Sequence, residues 1–139
     1  MGLLENRTKL VDANGNQLIV AEQTTLLITG TLKDETGLPI PLSGLSSLTL
    51  TLFAPDVPSE PIVNGLNGSN VLNDGTRGVV HATNGTVTLT LLAADGTIQL
   101  SDRELELHRA LLQWTYGGGG AKAGRHEIDF FVRNLSKVS

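Results

Sequence analysis

Three histidines are the side chains in this sequence with the chemistry to bind a metal ion or to act as a general base. They are His81, His108 and His126, and no two of them share a spacing that places both on one face of a local element. Only a hairpin could bring His108 near His126, and a zinc site would still need a third ligand and an open coordination position. We therefore predict no metal site and interpret all three as ordinary strand residues on a half-exposed sheet.

A run of four glycines, Gly117 to Gly120, invites comparison with a phosphate-binding loop. Such a loop ends in Gly-Lys-Ser/Thr and is followed by a helix whose N-terminus faces the phosphate. In this chain Lys122 is followed by Ala123, and Arg125 begins another alternating segment. We therefore predict a flexible hairpin tip over residues 117–124, and no bound cofactor.

Acidic residues beside turn-forming residues could bind calcium. The two candidate groups are Asp12 with Asn14, and Asp34 with Glu35. A calcium loop presents its oxygen ligands at alternate positions along the chain, and neither group has that pattern. We predict that these acids cap turns. The sequence also lacks the Gly-x-Ser-x-Gly motif of a serine nucleophile, and we assign no catalytic residue and no enzymatic activity.

The aromatic residues offer a different kind of site, a platform on which sugar rings stack. Trp114 and Tyr116, with Phe53 and Phe131, are the candidates among only five aromatic residues in the chain. A carbohydrate-binding module exposes several rings, whereas Trp114 is better suited to be the large residue of a sandwich core. A carbohydrate- or receptor-binding module remains the alternative function, and burial of both Trp114 and Tyr116 would count against it.

Composition limits the classes of partner. The chain has 139 residues, which suits one domain, and a net charge of −4 with 17% charged residues. Nucleic-acid binding would need a stripe or an excess of Lys and Arg, which this sequence lacks. No apolar run approaches the roughly 18 residues that span a bilayer, and the first residues lack the order of a signal peptide. We expect no nucleic-acid partner, no membrane and no export signal.

Alternation of apolar and polar residues indicates that β-strands position these side chains. Leucines alternate with threonines over residues 47–52 and 86–91, which predicts antiparallel strands with leucine inside and threonine outside. Residues 25–34 alternate in the same way. Residues 104–116 and 125–133 are predicted to be the last two strands. Both faces of the first become apolar toward its end, as in a central strand that is covered on both sides.

Turn residues at intervals of about ten residues complete the prediction of the fold class. We predict an all-β protein, an immunoglobulin-like antiparallel β-sandwich of about 7–8 strands over residues 17–139. Residues 1–16 are predicted to be an N-terminal arm or short hairpin. Residues 54–76 contain three prolines and are expected to supply one or two short edge strands and a mobile connection, and only residues 92–102 suit a helical turn. The turn dipeptides with the strongest hairpin signal are Asn14-Gly15, Asp74-Gly75, Asn84-Gly85 and Asp95-Gly96.

A resemblance to known modules rests mainly on residues 26–45. This run, LLITGTLKDETGLPIPLSGL, contains a strand that ends at Asp34, a Gly-x-Pro turn and a Leu-Ser-Gly step into the next strand. It resembles structural modules of tailed bacteriophages, namely the N-terminal domains of baseplate upper proteins and small immunoglobulin-like proteins on phage heads and tails. The closing segments 112–116 and 125–130 also fit such modules.

The resemblance implies a non-enzymatic virion structural protein without catalytic, cofactor-binding or metal-binding residues. No stalk or receptor-binding domain follows residue 139, and we therefore expect a capsid decoration or cement protein, or a head-to-tail connector or tail accessory subunit. Its partners would be other virion proteins, namely capsid, connector or tail subunits, bound in multiple symmetric copies. Its location would be the virion, after synthesis in the host cytoplasm.

Overall fold

The computed structural model describes residues 7–72, 77–100 and 102–137, which form two β-sheets around one shared core. The predicted all-β, immunoglobulin-like sandwich is confirmed, with nine strands in these ranges where about seven or eight were expected. Only short 3-10 helices occur there, and none is long and apolar enough to cross a membrane. The strands are β1 (Arg7–Lys9), β2 (Ile19–Ala21), β3 (Leu26–Thr31), β4 (Leu45–Phe53), β5 (Ser69–Asn70), β6 (Gly78–Val80), β7 (Thr86–Leu91), β8 (Leu105–Tyr116) and β9 (Lys122–Arg133).

The order of strands within the two sheets defines the fold. The larger sheet has the order β1-β9-β8-β4-β5, with β2 also paired to β9, and the smaller sheet has the order β3-β7-β6. An immunoglobulin domain packs a C-F-G sheet against a four-stranded A-B-E-D sheet. Here β4, β8 and β9 correspond to C, F and G, and β3, β7 and β6 correspond to B, E and D. Among the described residues the smaller sheet has no strand in the position of A, because β1 and β2 pair in parallel with β9.

Alternation of leucine and threonine places the core between the sheets, as predicted. In β4 the side chains of Leu48, Leu50 and Leu52 are fully buried, and the threonines between them are half-buried on the opposite face. Leu89 and Leu91 of β7 repeat the pattern from the other sheet. Full burial of one leucine side chain stabilises the fold by about 1.5–3 kcal/mol, and the facing leucine rows therefore hold the two layers together.

β8 and β9 form the longest hairpin, which confirms that they are the last two strands. The last pair of facing residues before the connection is Tyr116 and Lys122. β9 therefore begins at Lys122, and the predicted tip over residues 117–124 is too long, since the connection comprises residues 117–121. Lys122 is held there both by the strand pairing and by an ion pair with Glu35.

The prediction that β8 is covered on both faces is wrong. Its inner positions, including Ala110 and Leu112, are buried against the smaller sheet. On the outer face Leu111 is only half-buried and Gln113 is exposed. A two-layer sandwich covers one face of each sheet, and the apolar residues on the outer face are shielded only by their neighbours within the sheet.

The middle of the chain follows the prediction in part. β5 is a two-residue strand at the edge of the larger sheet, so a short edge strand is confirmed. Residues 73–76, with the predicted Asp74-Gly75 turn, lie outside the described residues. The first segment was predicted to be an arm or hairpin over residues 1–16. Its residues 7–16 form β1 and a turn closed by a hydrogen bond from the Asp12 N–H to the Asn16 carbonyl, and residues 1–6 lie outside the described part.

The connection between β7 and β8 carries the chain from the smaller sheet to the larger one. Its 3-10 helix, Ala93–Gly96, confirms the predicted helical turn. The expectation of a hairpin turn at Asp95-Gly96 is wrong, because these residues end that helix. The Asp95 carboxylate is 1% exposed and accepts hydrogen bonds inside the protein, and it therefore does not cap a surface turn.

Gly124 accommodates the largest side chain of the hairpin. It lies on β9 directly opposite Trp114 on β8. A β-carbon added to Gly124 would lie 2.5 Å from Cε2 and 2.6 Å from Nε1 of the indole, which is far inside van der Waals contact. The indole therefore lies against the backbone of β9, and a side chain on the opposite residue would have to displace it.

The variant Gly124→Ala tests this packing. We expect it to lower the free energy of unfolding by about 1–3 kcal/mol, because overpacking forces the indole or the strand to move. Chemical denaturation followed by circular dichroism measures the change. Gly118→Ala is the matched control, since an added β-carbon there meets nothing within 4 Å. Equal stability of the two variants would contradict the packing argument.

Candidate functional site

The three histidines lie in three different environments. His108 is fully buried on the inner face of β8, His126 is half-buried on β9, and His81 is exposed after β6, where its Nδ1 accepts from the Thr83 N–H at 3.2 Å. The expectation of half-exposed strand residues therefore fits His126. It is wrong for His108, whose position in the alternation faces the core, and for His81, which lies outside the strands. Within residues 7–72, 77–100 and 102–137 no group of three potential ligands could hold a metal ion.

Glu106 and His108 form a buried pair on the inner face of β8, next to the connection between the sheets. Both are 0% exposed, and His108 Nε2 lies 2.7 Å from Glu106 Oε1. The Glu106 carboxylate also accepts from the N–H groups of Gln99 and Leu100, both at 2.8 Å. A general base must reach the proton that it abstracts, and this pair contacts no solvent. Its geometry therefore supports a structural function, which is to fix the segment before β8.

Burial sets the protonation of His108. Desolvation lowers the pKa of His108 below its ordinary 6.5, and the hydrogen bond and charge of Glu106 oppose this shift. Nε2 of the imidazole is the ring nitrogen that is hydrogen-bonded to Glu106. Nδ1 makes no hydrogen bond of ordinary geometry in the described structure, although the Asp95 backbone carbonyl is nearby.

A second buried carboxylate fixes the same connection. Asp95 accepts from the Leu92 N–H at 2.7 Å and from Asn64 Nδ2 at 2.9 Å. Its two oxygens also accept from the guanidinium of Arg77, which is 15% exposed. Sequence reasoning missed both carboxylates. A usable signal was the alternation of β8, in which Glu106 shares its face with the apolar inward positions.

The remaining sequence candidates have structural roles. Asp12 Oδ1 accepts from the N–H groups of Asn14 and Asn16, and Asp34 Oδ1 accepts from those of Thr36 and Leu38. The prediction that acids cap these turns is therefore confirmed for Asp12 and Asp34 and is wrong for Glu35, whose carboxylate pairs with Lys122.

The aromatic residues do not form one exposed platform. Trp114 and Tyr116 are each 8% exposed and face inward, which confirms that Trp114 belongs to the core. Phe53 and Phe131 are half-buried on the outer face of the same sheet. Four rings on opposite faces of a sheet cannot stack on one sugar, and this arrangement counts against the carbohydrate-binding alternative.

A cleft of about 1080 Å³ runs along the side of the sandwich where an immunoglobulin domain has its first strand. Its walls are β3 with the turn that follows, and the first half of β9. Its floor includes Leu89, Leu112 and Ile128, which belong to the main core. These three side chains are each at most 6% exposed, so the cleft lies directly above the core.

The inner face of β3 is uncovered in this cleft. The Ile28 side chain points inward and is only half-buried. Gly30 occupies the next position on the same face of β3 and is exposed. By contrast, Leu89, which pairs with Ile28 in the same sheet, is 1% exposed. A β-carbon added to Gly30 would meet nothing within 4 Å. The cleft therefore leaves room for side chains that the described chain does not provide.

The outer edge of β3 presents unpaired backbone groups to the cleft. The Leu32 N–H donates to the Gly85 carbonyl at 3.0 Å. The even-numbered residues of β3 therefore direct their N–H and C=O groups to β7. The backbone groups of the odd-numbered residues Leu27, Thr29 and Thr31 point away from β7. In the described ranges these groups accept and donate no hydrogen bond. β3 contains no proline or charged residue that would block strand addition.

Trp114 contributes an unpaired donor to the same cleft. Its side chain lines the cleft and is 8% exposed, and the Nε1 N–H has no hydrogen-bond acceptor among the described groups. A buried tryptophan N–H ordinarily finds a partner. The site thus combines an open strand edge, a floor of buried core residues and one buried donor without an acceptor in the described ranges.

Comparisons with known proteins supply no relative. No family model, no curated protein and no solved structure matches the chain. The function proposed below therefore rests on the residues of this chain and their geometry.

The variant Glu106→Gln tests the buried pair. We expect a loss of about 2–4 kcal/mol in the free energy of unfolding, because the amide presents one acceptor and two donors where three N–H groups need acceptors. Urea denaturation measures it. Glu104→Gln is the control, since Glu104 is exposed and a surface change of this kind stays within about 0.5 kcal/mol. A loss as small as that of the control would show that the carboxylate is not required.

Stability should fall as the pH decreases below 6.5. The folded pKa of His108 lies below its ordinary value of 6.5, so the unfolded chain takes up a proton that the folded chain does not. The stabilisation is present above pH 6.5 and is lost as the pH falls toward the folded pKa. Burial also lowers the pKa of His126, which adds to the effect.

Thermal unfolding at several pH values measures this dependence. His108→Gln should flatten the decline between pH 6.5 and 5 even if it lowers stability at every pH. His81→Gln, in an exposed turn, should retain the decline of the unmodified chain. The same slope in His108→Gln as in the unmodified chain would contradict the assignment.

Proposed function

We propose that this chain is a non-enzymatic structural subunit of a tailed-bacteriophage particle. It would act as a capsid decoration or cement protein, or as a head-to-tail connector or tail accessory subunit, and would bind capsid, connector or tail subunits. It would reside in the virion after synthesis in the host cytoplasm. The observation that carries the proposal is the side of the sandwich at β3, where a strand edge that is unpaired in the described ranges borders a cleft of about 1080 Å³.

An exposed strand edge is a liability for a protein that works alone. Unpaired backbone groups invite pairing with another chain, and isolated domains block such edges with charge, proline or a covering loop. β3 has none of these in its six residues. An edge left free in this way is suited to a subunit whose neighbours cover it on assembly.

The buried ionisable groups support a non-enzymatic function. Glu106, His108 and Asp95 are at most 1% exposed, and His108 Nε2 lies 2.7 Å from Glu106 Oε1. A substrate could not reach them. Their hydrogen bonds are instead used to fix the chain between the two sheets.

The sequence resemblance coincides with the open side. Residues 26–45, which resemble tailed-phage modules, form β3, the turn after it and the start of β4. Residues 28–35 of this run line the cleft. The pattern that suggests a phage module is therefore the pattern that borders the candidate binding surface.

Association with virus particles tests the proposal. We expect the purified chain to sediment with heads or tails of the phage that encodes it, to saturate at a copy number that fits their symmetry, and to be present in purified virions by mass spectrometry. Bovine serum albumin at the same concentration controls for trapping. Binding to host cells or glycans with none to particles would contradict the proposal and support the receptor-binding alternative.

A further inference from the structure

The position of the cleft indicates what it lacks. In an immunoglobulin domain the first strand pairs with the second and completes a four-stranded sheet. In this chain β3 occupies the position of that second strand, and no strand of the described ranges pairs with its outer edge. The described segment that precedes β3 cannot fill the gap, because β1 and β2 are hydrogen-bonded to β9.

The backbone of β3 is prepared to receive one more strand. Leu27, Thr29 and Thr31 present their N–H and C=O groups to the cleft side at every second residue. An antiparallel strand placed there would form the alternating hydrogen-bonded pairs of an ordinary ladder. Strand addition of this kind obtains affinity from the main chain and specificity from pockets for alternate side chains.

The cleft supplies the pockets for those side chains. Side chains at alternate positions of an added strand would face Leu89 and Ile128 on the floor and pass the empty space at Gly30. A backbone carbonyl of the same strand could accept from the Trp114 N–H, which has no acceptor in the described residues. An apolar residue at every second position therefore fits both walls.

The charge around the cleft favours an acidic partner. Of the two acids at the cleft, Asp34 accepts hydrogen bonds from N–H groups of its own turn, and Glu35 forms an ion pair with Lys122. Lys33 has no ion pair in the described ranges, and Arg125 is 57% exposed with its nearest carboxylate at 3.8 Å. Both lie toward the C-terminal end of β3, which an antiparallel strand meets with its own N-terminal end.

We propose that the cleft binds an extended segment of another virion protein, which adds to β3 in antiparallel orientation and completes the smaller sheet. The segment carries apolar residues at alternate positions and carboxylates at its N-terminal end. This inference specifies the mode of attachment and rests on the proposed function for the identity of the partner.

A peptide of this chemistry tests the mode of binding. The probe is acetyl-Asp-Asp-Val-Thr-Val-Thr-Val-Thr-amide, titrated into the full chain by isothermal titration calorimetry. Amide chemical shifts of the ¹⁵N-labelled chain locate the contact, and we expect changes at Leu27, Thr29, Thr31 and the Trp114 indole. The same peptide with Lys-Lys in place of Asp-Asp should bind more weakly. No binding of the acidic peptide at about 1 mM would overturn the inference.

Two variants of β3 separate strand addition from other contacts. Thr29→Pro removes one outward N–H at an edge position, where proline is tolerated, and should weaken peptide binding roughly tenfold. Thr29→Val keeps the N–H and should bind like the unmodified chain. Equal affinity of the two variants would rule out backbone pairing at this edge.

Gly30→Leu is a test that does not depend on a tolerated proline. The leucine would fill the empty space at the cleft, and we expect a higher denaturation midpoint together with roughly tenfold weaker peptide binding, from one lost hydrophobic contact of about 1.4 kcal/mol. A higher midpoint with unchanged affinity would show that the peptide does not use the cleft.

The outcomes also distinguish this inference from the proposed function. Particles that bind Thr29→Pro and the unmodified chain equally would leave the virion assignment standing and overturn strand addition. A chain that binds the peptide but no phage particle would overturn the virion assignment and with it the identity of the partner, whereas strand addition to β3 would stand. If the unmodified chain forms a dimer that Thr29→Pro dissociates, the strand comes from a second copy and the inference of another virion protein is wrong.

Discussion

The architecture depends on where the first strands find their hydrogen bonds. A strand segment can join only one sheet at a given residue, and β1 and β2 both pair in parallel with β9 of the larger sheet. Within the described part of the chain the smaller sheet therefore has three strands, and β3 is an edge. The cleft, the exposed Gly30 and the unpaired Trp114 N–H all lie on the side that this choice leaves open.

Two kinds of interaction stabilise the sandwich, namely apolar burial between the sheets and hydrogen bonds to buried carboxylates in one connection. Leucine rows hold the sheets together by removing apolar surface from water, which requires no specific partner. The connection from β7 to β8 is instead fixed by the carboxylates of Asp95 and Glu106, each of which is buried and accepts several hydrogen bonds. A buried carboxylate is tolerated only when its oxygen atoms accept hydrogen bonds. These two carboxylates therefore specify one path for the connection, whereas apolar burial does not.

The sequence predicts which residues form strands, but not which distant strands pair with each other. The alternation in residues 47–52, 86–91 and 104–116 predicts strands because side-chain direction has a period of two, whatever the neighbouring strand is. The partner of β1 is more than a hundred residues away, at Glu127 to Asp129, and no local pattern encodes that pairing. The cleft follows from this pairing and was missed. The burial of Glu106 was missed although it shares a face of β8 with Ala110 and Leu112, because a glutamate is ordinarily exposed to solvent.

The single tryptophan of the chain forms part of the cleft wall. Its indole lies against the backbone at Gly124, so its orientation is set by the β8–β9 hairpin rather than by solvent. The intrinsic ultraviolet emission of the protein therefore originates at the open side, without contribution from a second indole elsewhere. Removal of water from this side shifts such emission to shorter wavelengths, and the protein thus contains a built-in optical reporter of whether the gap is filled.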